Sequence, residues 1–269
     1  MLKPATMKVR AVLFDLDETL IEEESSNDAS ALAACEIAFA RHGVDRDGLM
    51  AALRKRSLER WLAGPMIDYC REIGISSREG LWGSFTGDGL ALSRLRDWAA
   101  QYKIRAWTDA LDDLGVEDDS LAVELAQFFE RDRRKRHVVF PESQRVLGEL
   151  KKDYRLALIT NGAIDIQRAK IHGSNLGDFF DTIIISGEVG FGKPDPKLFQ
   201  MALDRLAVAP QESVMIGDSL RRDIGGARDV GIQTIWVNRF NRAIADHHPV
   251  PDLQLTDLVR LPAILTLAD

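Results

Sequence analysis

The sequence has few cysteines, few aromatic residues and no long apolar run. Its two cysteines, Cys35 and Cys70, share no close metal-ligand spacing, which indicates free thiols in a reducing compartment rather than a disulfide framework. No apolar run approaches the roughly 20 residues that a bilayer-spanning helix needs, and the N-terminal segment lacks a secretory pattern. We therefore expect a soluble cytoplasmic protein without a membrane partner.

An excess of positive charge is also absent. Lysine and arginine number 35 against 42 aspartates and glutamates, so the formal net charge is -7. A protein that binds a nucleic-acid backbone would favour a basic surface, and we expect no nucleic-acid partner. A small phosphorylated substrate is compatible with this balance, because a few local cations and amides can bind one phosphate. The sequence fits a monomer and a homodimer equally.

Short apolar runs alternate with helical patterns in the second half of the 269 residues. This alternation predicts an α/β protein with a parallel sheet and helices on both faces. We expect one core domain made of residues 1–20 and 140–269, with an all-helical insert at 21–139. The strands are predicted at residues 9–15, 156–159, 182–186, 213–216, 233–237 and 253–255.

The sequence pattern of the insert predicts a succession of helices, with no strand pattern between them. Asn27, Asp28 and Ser30 are candidate N-caps for a first helix at 31–41, which leaves 22–26 as a connecting hinge. The further helices of the insert are predicted at 46–62, 66–73, 88–102, 105–114 and 118–136. The helices of the core are predicted at 142–152, 164–173, 196–206 and 221–230.

Polar residues follow the predicted strands, and in an open parallel sheet ligands bind beyond the carboxyl ends of the strands. The first strand is followed by Asp15-Leu16-Asp17-Glu18-Thr19 and the second by Thr160-Asn161-Gly162. Gly217-Asp218-Ser219 follows the fourth strand, with Asp223 one turn further on. Lys193 lies in the loop Gly192-Lys193-Pro194. Acids, a hydroxyl group, a lysine and glycines are thus expected at one edge of the sheet.

These residue types suit phosphate-ester chemistry. A carboxylate such as Asp15 can attack phosphorus and form an acyl-phosphate, and Asp17 is placed to act as general acid and base. Oxygen ligands from Asp15 and Asp218 suit Mg²⁺, and Lys193 adds positive charge. Thr160 and the amides of Asn161 and Gly162 can hold the phosphoryl oxygens. Each residue alone could be a turn or cap residue; their order along the strand ends favours a site.

Four segments resemble the motifs of the haloacid dehalogenase-like (HAD) hydrolase superfamily, in the family's order. They are Phe14-Asp15-Leu16-Asp17-Glu18-Thr19-Leu20, Ile159-Thr160-Asn161-Gly162, Gly192-Lys193-Pro194, and Ile216-Gly217-Asp218-Ser219 with Asp223. The resemblance implies a Rossmann-like, doubly wound core with a nucleophilic Asp15 and an acid/base Asp17. It also implies a Mg²⁺ site made of the Asp15 carboxylate, the Asp17 main-chain carbonyl and Asp218. Thr19, Ser219 and Asp223 would support the site, with Asp223 orienting Lys193 or a metal-bound water.

Within the superfamily, the insert resembles the helical cap of subfamily I phosphatases. Asn161-Gly162, Gly187-Glu188 and Ile235-Trp236-Val237 resemble N-acylneuraminate-9-phosphate and pyrimidine or ribityl-pyrimidine nucleotide phosphatases. Dehalogenases of the superfamily lack the second acid of the first motif, so Asp17 favours a phosphatase. The substrate could be a sugar phosphate, a nucleotide or a ribityl-pyrimidine or flavin phosphate. A sugar phosphomutase shares all four motifs and stays an alternative.

Other interpretations concern the cap and a second motif. Trp82 and Phe85 could stack on a substrate ring, and Arg94, Arg96, Arg105 and Trp107 could line a cleft, although tryptophans in helical bundles are usually core residues.

Gly217-Asp218-Ser219-Leu220 also matches a serine-esterase string, with His247 and His248 downstream. A binding protein that kept the fold without catalysis is a further alternative.

Overall fold

The computed structural model describes residues 8–245 and 247–266. Contacts divide the chain into two compact units. The first unit takes its described residues from 1–22, 138–161 and 174–269, and the second from 23–137 and 162–173. Residues 162–173 therefore group with the helical insert, although the sequence assigned them to the core. The predicted domain boundaries stay a prediction, and their ends at 1–7 and 267–269 lie outside the described residues.

The first unit is built on one six-stranded sheet in which every pair of neighbouring strands is parallel. The strand order is β3-β2-β1-β4-β5-β6. The order steps outward from β1 in both directions, as in doubly wound folds. The strands are β1 Ala11–Phe14, β2 Arg155–Thr160, β3 Thr182–Ile185, β4 Ser213–Gly217, β5 Gln233–Val237 and β6 Leu253–Leu255.

Near-continuous apolar sequence explains why the central strands are buried on both faces. Every residue of β1 and of β4 is buried, as expected for a parallel sheet covered by helices. Leu13, Ile159 and Met215 pack in one cluster with Phe199 from a neighbouring helix. The predicted α/β fold with an inserted helical cap is confirmed, and all six predicted strands are present to within two residues.

One helix of the first unit begins where the sequence supplies an N-cap. Asp195 accepts a hydrogen bond from the backbone N–H of Lys197, and Pro196 occupies the first turn, as N-terminal prolines commonly do. The helices are α7 Ser143–Leu150, α9 Ser186–Val189, α10 Pro196–Leu206, α11 Gly226–Asp229 and α12 Leu261–Thr266. A π-helical segment, Leu220–Gly225, precedes α11 where a single helix at 221–230 was predicted.

The second unit is all helical and has an aromatic core of its own. Trp82, Phe85 and Trp107 are fully buried in it, so the suggestion that these rings contact substrate is not supported, and the core interpretation holds. Arg96 donates to the carbonyl oxygens of Phe85 and Gly87. The helices are α1 Glu23–His42, α2 Arg46–Leu62, α3 Ile67–Ile73, α4 Ser77–Gly80, α5 Leu90–Asp112, α6 Asp119–Arg133 and α8 Ile164–Ser174.

Helices α1 and α5 differ from the sequence-based expectation. Helix α1 begins at Glu23, so the predicted hinge at 22–26 is largely helical and the predicted caps lie inside the helix. The side chain of Asn27 donates to the Glu23 carbonyl and accepts from Arg133 Nε. Helices predicted at 88–102 and 105–114 are one helix, α5, because no glycine or proline separates them.

Candidate active site

The carboxylate of Asp15 lies directly beyond β1 and both of its oxygens are held. Phe14 pairs with Leu158 of β2 and Ile216 of β4, so Asp15 leaves the centre of the sheet. Lys193 Nζ lies 2.5 Å from Asp15 Oδ1, and Thr19 Oγ1 donates to Oδ2 over 3.2 Å. Asp15 is only 7% exposed. A buried acid fixed at both oxygens has a defined orientation.

Asn161 fixes the backbone of the lysine loop. Its side-chain oxygen accepts from the Lys193 N–H over 2.8 Å, and its side-chain nitrogen donates to the Lys193 carbonyl over 2.9 Å. A Cβ on Gly192 would lie 2.8 Å from the Asn161 nitrogen, so this close approach requires glycine. We predicted Asn161 from its backbone amide, and sequence reasoning missed this side-chain role.

Asp223 completes the surroundings of Lys193. Lys193 Nζ lies 2.6 Å from Asp223 Oδ1, and Asp223 Oδ2 accepts from the backbone N–H of Ser219 over 2.9 Å. A Cβ on Gly217 would lie 2.3 Å from Asp223 Oδ2. The glycine that ends β4 therefore makes room for the acid that pairs with the lysine. The predicted supporting role of Asp223 stays a prediction.

Asp218 follows β4 and is anchored through its backbone. Trp236 Nε1 donates to the Asp218 carbonyl over 2.7 Å. Carboxylate oxygens of Asp15, Asp218 and Asp223 all lie within 4.8 Å of one another. The Asp17 side chain is not part of this group among the described residues. The predicted Asp17 contribution concerns its main-chain carbonyl and stays a prediction.

The other predicted residues have the following positions. Asp17 is half-buried and forms an isolated bridge with Ile21. Thr160 is buried and ends β2 beside Ile185. Gly162 has a left-handed φ of 146° and groups with the helical unit. Ser219 Oγ accepts from the Arg222 N–H, as an N-cap does, and this contact does not favour the esterase alternative.

Burial and mutual repulsion raise the pKa of the acids in this cluster. Burial raises the pKa of Asp15 to about 7, against the attraction of Lys193 and with the added repulsion of Asp223 and Asp17. Burial, Asp15 and Asp223 raise the pKa of Asp218 to about 8. Burial alone would lower the pKa of Lys193, but Asp15 and Asp223 outweigh it and the pKa lies above its usual value. Lys193 is therefore a cation in the site.

The arrangement fits a divalent metal ion. Three buried or half-buried carboxylates face one ammonium, and this leaves a local excess of two negative charges when all are ionised. Such a site is costly without a further cation. Hard carboxylate oxygens are the ligands that Mg²⁺ prefers. Donor type and charge thus agree with the predicted metal.

Comparisons with known proteins define the class. The family model of haloacid dehalogenase-like hydrolases matches residues 9–231. A phosphoserine phosphatase from Thermus thermophilus is 37% identical, over 93% of this chain and 96% of its own. The N-acylneuraminate-9-phosphatase of Mus musculus is 27% identical, over 97% of this chain and 96% of its own. The chain belongs to the haloacid dehalogenase-like hydrolase family, which confirms the predicted family membership.

A solved structure shares the fold. The HAD hydrolase YfnB from Bacillus subtilis, crystallised with bound magnesium, superposes with a TM-score of 0.65 at 22% identity. The match covers 96% of this chain and 99% of YfnB. This likeness concerns the fold alone. No described helix of the chain is both long enough and apolar enough to cross a membrane.

Proposed function

We propose that the protein hydrolyses the phosphate monoester of a small metabolite, with Asp15 as the nucleophile and Mg²⁺ as the cofactor. The observation that carries this proposal is the geometry at Asp15. Its carboxylate is buried, oriented by Lys193 and Thr19, and surrounded by acids that suit a metal ion. The relatives confirm the prediction of a phosphatase, because two phosphatases match 93% and 97% of this chain.

The proposed reaction has two steps. An oxygen of Asp15 forms a bond to phosphorus while the bond from phosphorus to the ester oxygen breaks, and Asp17 gives its proton to the leaving alkoxide. Water then attacks phosphorus, Asp17 takes the proton of that water, and the Asp15 carboxylate and inorganic phosphate are released. Lys193, Thr160 and the amides of Asn161 and Gly162 hold the phosphoryl oxygens.

Asp15, the main-chain carbonyl of Asp17 and Asp218 would hold the Mg²⁺. A bound Mg²⁺ would neutralise the negative charge that keeps a carboxylate and a phosphate apart. Asp223 would act through its contact with Lys193.

The substrate class follows from the relatives. We infer a small, hydrophilic phosphomonoester and place phosphoserine first, because the Thermus thermophilus phosphatase shares 37% identity over 93% of the chain. N-acylneuraminate 9-phosphate is the second candidate. Glyceraldehyde 3-phosphate and pyrimidine nucleotides are candidates from shorter matches.

A phosphate-release assay across these esters, with Mg²⁺ and with a chelator, tests the proposal. We expect one ester to be hydrolysed fastest, and we expect activity to disappear with chelator and return with added Mg²⁺. The variant Asp15→Asn, which keeps the side chain's size, should lose at least about a thousandfold in kcat. Release of phosphate by that folded variant at the wild-type rate would refute the role of Asp15.

A further inference from the structure

Arg239 lies two residues beyond β5 and is half-buried in the first unit. Its side chain is 9% exposed. Its Nη2 donates to the main-chain carbonyl of Thr19 over 2.7 Å, and its Nη1 donates to Glu142 Oε1 over 2.8 Å. Its guanidinium carbon lies 3.4 Å from the centre of the Phe140 ring. One side chain thus joins three segments that are far apart in sequence.

Arg239 joins its own loop to two other segments. One carries Asp15 and Thr19, and the other carries Phe140 and Glu142 and leads from the helical insert back to the sheet. They also contact each other, since Phe140 N–H donates to the Leu20 carbonyl over 3.1 Å. Ser143 Oγ donates to the same carbonyl over 2.9 Å. Ile21 forms an antiparallel bridge with Val139. Arg239 therefore adds a side-chain clamp where the two segments already pair.

The clamp connects to Asp15 through one residue. Thr19 is fully buried and uses its hydroxyl group to hold Asp15 Oδ2. Its carbonyl accepts from Arg239. A shift of this peptide would move the hydroxyl group and, with it, the orientation of the carboxylate. Because attack needs the reacting oxygen aligned with the phosphorus atom, a misplacement of about 1 Å can cost about a hundredfold in rate.

Arginine suits this position better than lysine. A planar guanidinium can donate to two acceptors at once and stack on an aromatic ring, whereas an ammonium is a compact point charge. Glu142 supplies the counter-charge and also accepts from the Leu258 N–H over 3.3 Å. Burial would raise the pKa of Glu142, but hydrogen bonds from the backbone and Arg239 outweigh it and keep the pKa below its usual value. The ion pair is thus formed at neutral pH.

We propose that Arg239 is a positioning residue for the phosphatase reaction: by holding the Thr19 carbonyl, it fixes the Thr19 hydroxyl and so the orientation of Asp15. This inference rests on the proposed role of Asp15 as nucleophile. Arg239 contacts Thr19, Glu142 and Phe140 and, in this proposal, acts on Asp15 only through Thr19, so its loss should lower kcat and leave KM nearly unchanged.

The test compares Arg239→Lys and Arg239→Ala with the wild type, using p-nitrophenyl phosphate and Mg²⁺. Arg145→Ala is the matched control, because this arginine of α7 is half-exposed and pairs with Glu149 at 2.8 Å on the same helix. We expect both Arg239 variants to lose about tenfold or more in kcat, with KM within about twofold. Added methylguanidinium should restore part of the kcat of Arg239→Ala but not that of Arg239→Lys. Arg145→Ala should match the wild type.

The outcomes separate a failure of the Arg239 inference from a failure of the proposed function. If folded Arg239→Lys keeps the wild-type kcat, Arg239 has no positioning role and the inference is wrong. If Arg239→Ala does not fold, the Arg239→Lys variant decides alone, because it keeps the charge and most of the apolar stem. A rise in KM at constant kcat would also overturn the inference. If Asp15→Asn retains activity in the same assay, the proposed function fails first and this inference fails with it.

Discussion

Single residues in the site owe their positions to side chains that do no chemistry themselves. Thr19, Asn161 and Asp223 each hold Asp15 or Lys193 by a hydrogen bond or an ion pair. Motif residues such as Asp15 and Lys193 were readable from sequence because their types match the chemistry at strand ends. The roles of Arg239 and of the Asn161 side chain cannot be predicted from sequence, because each depends on a partner far along the chain. Asn161 and Lys193 are separated by 32 positions, and Thr19 and Arg239 by 220.

Asp17→Asn tests the proposed general acid at the residue scale. The variant cannot give a proton to an alkoxide, so hydrolysis of an alkyl ester such as phosphoserine should slow by about a hundredfold or more. p-Nitrophenyl phosphate has a leaving group that is stable as an anion, so its first step should slow far less. Single-turnover rates with both esters measure this difference. Equal losses with the two esters would contradict the acid role of Asp17.

Gly217→Ala tests the space that Asp223 needs. The added Cβ would lie 2.3 Å from Asp223 Oδ2, so Asp223 must leave its present position beside Lys193. We expect a loss of about 1–3 kcal/mol in the free energy of unfolding and a marked loss of kcat. Gly148→Ala is the control, because the nearest atom to its Cβ would be 3.6 Å away, on Phe179, and Gly148 lies inside α7. Urea unfolding and the kcat of both variants provide the measurements.

At the scale of elements, sequence patterns located the strands better than the helices. Short apolar runs bounded by turn residues define strands such as β2 and β4, because both faces of the sheet are covered. Helix ends were less readable. Glu23 and Glu24 suit the first turn of α1 through the helix dipole. Asn27 is a residue type that favours N-caps, but it lies within α1 and its side chain accepts from Arg133. Tertiary partners outside the helix decide such positions.

Helix α8 is tied to the helical unit by a buried charge. Lys170 is fully buried, and its Nζ lies 2.8 Å from Glu79 Oε1 and 3.4 Å from Glu23 Oε1. Lys170→Met leaves these acids without that cation, so we expect a loss of about 3–5 kcal/mol in the free energy of unfolding. Adding Glu79→Gln should recover part of the loss. Urea unfolding of both single variants and the double variant measures the coupling, and simple additivity would show that the pair is not coupled.

At the scale of the whole molecule, binding of the metal should stabilise the folded chain. A ligand that binds only the folded state adds stability that grows with its concentration. We expect Mg²⁺ to raise the melting temperature of the wild type and a chelator to reverse the effect. Asp218→Asn should remove most of the rise because it removes a carboxylate of the cluster. The control is Asp229→Asn, an exposed aspartate at the end of α11. An equal rise in all three proteins would show that the ion binds elsewhere.

The helical unit is discontinuous in sequence, and this limits how it can be exchanged between relatives. Ala163 and Ile166 belong to its apolar core, and Lys170 neutralises Glu79 inside it. These residues lie beyond the second motif, about 25 positions after the insert returns to the sheet. A chimera that transplants residues 23–137 alone would therefore expose an apolar face of the helical unit and leave Glu79 buried without the Lys170 cation. To transfer the helical unit from one family member to another, a graft must carry residues 162–173 as a second, separate piece.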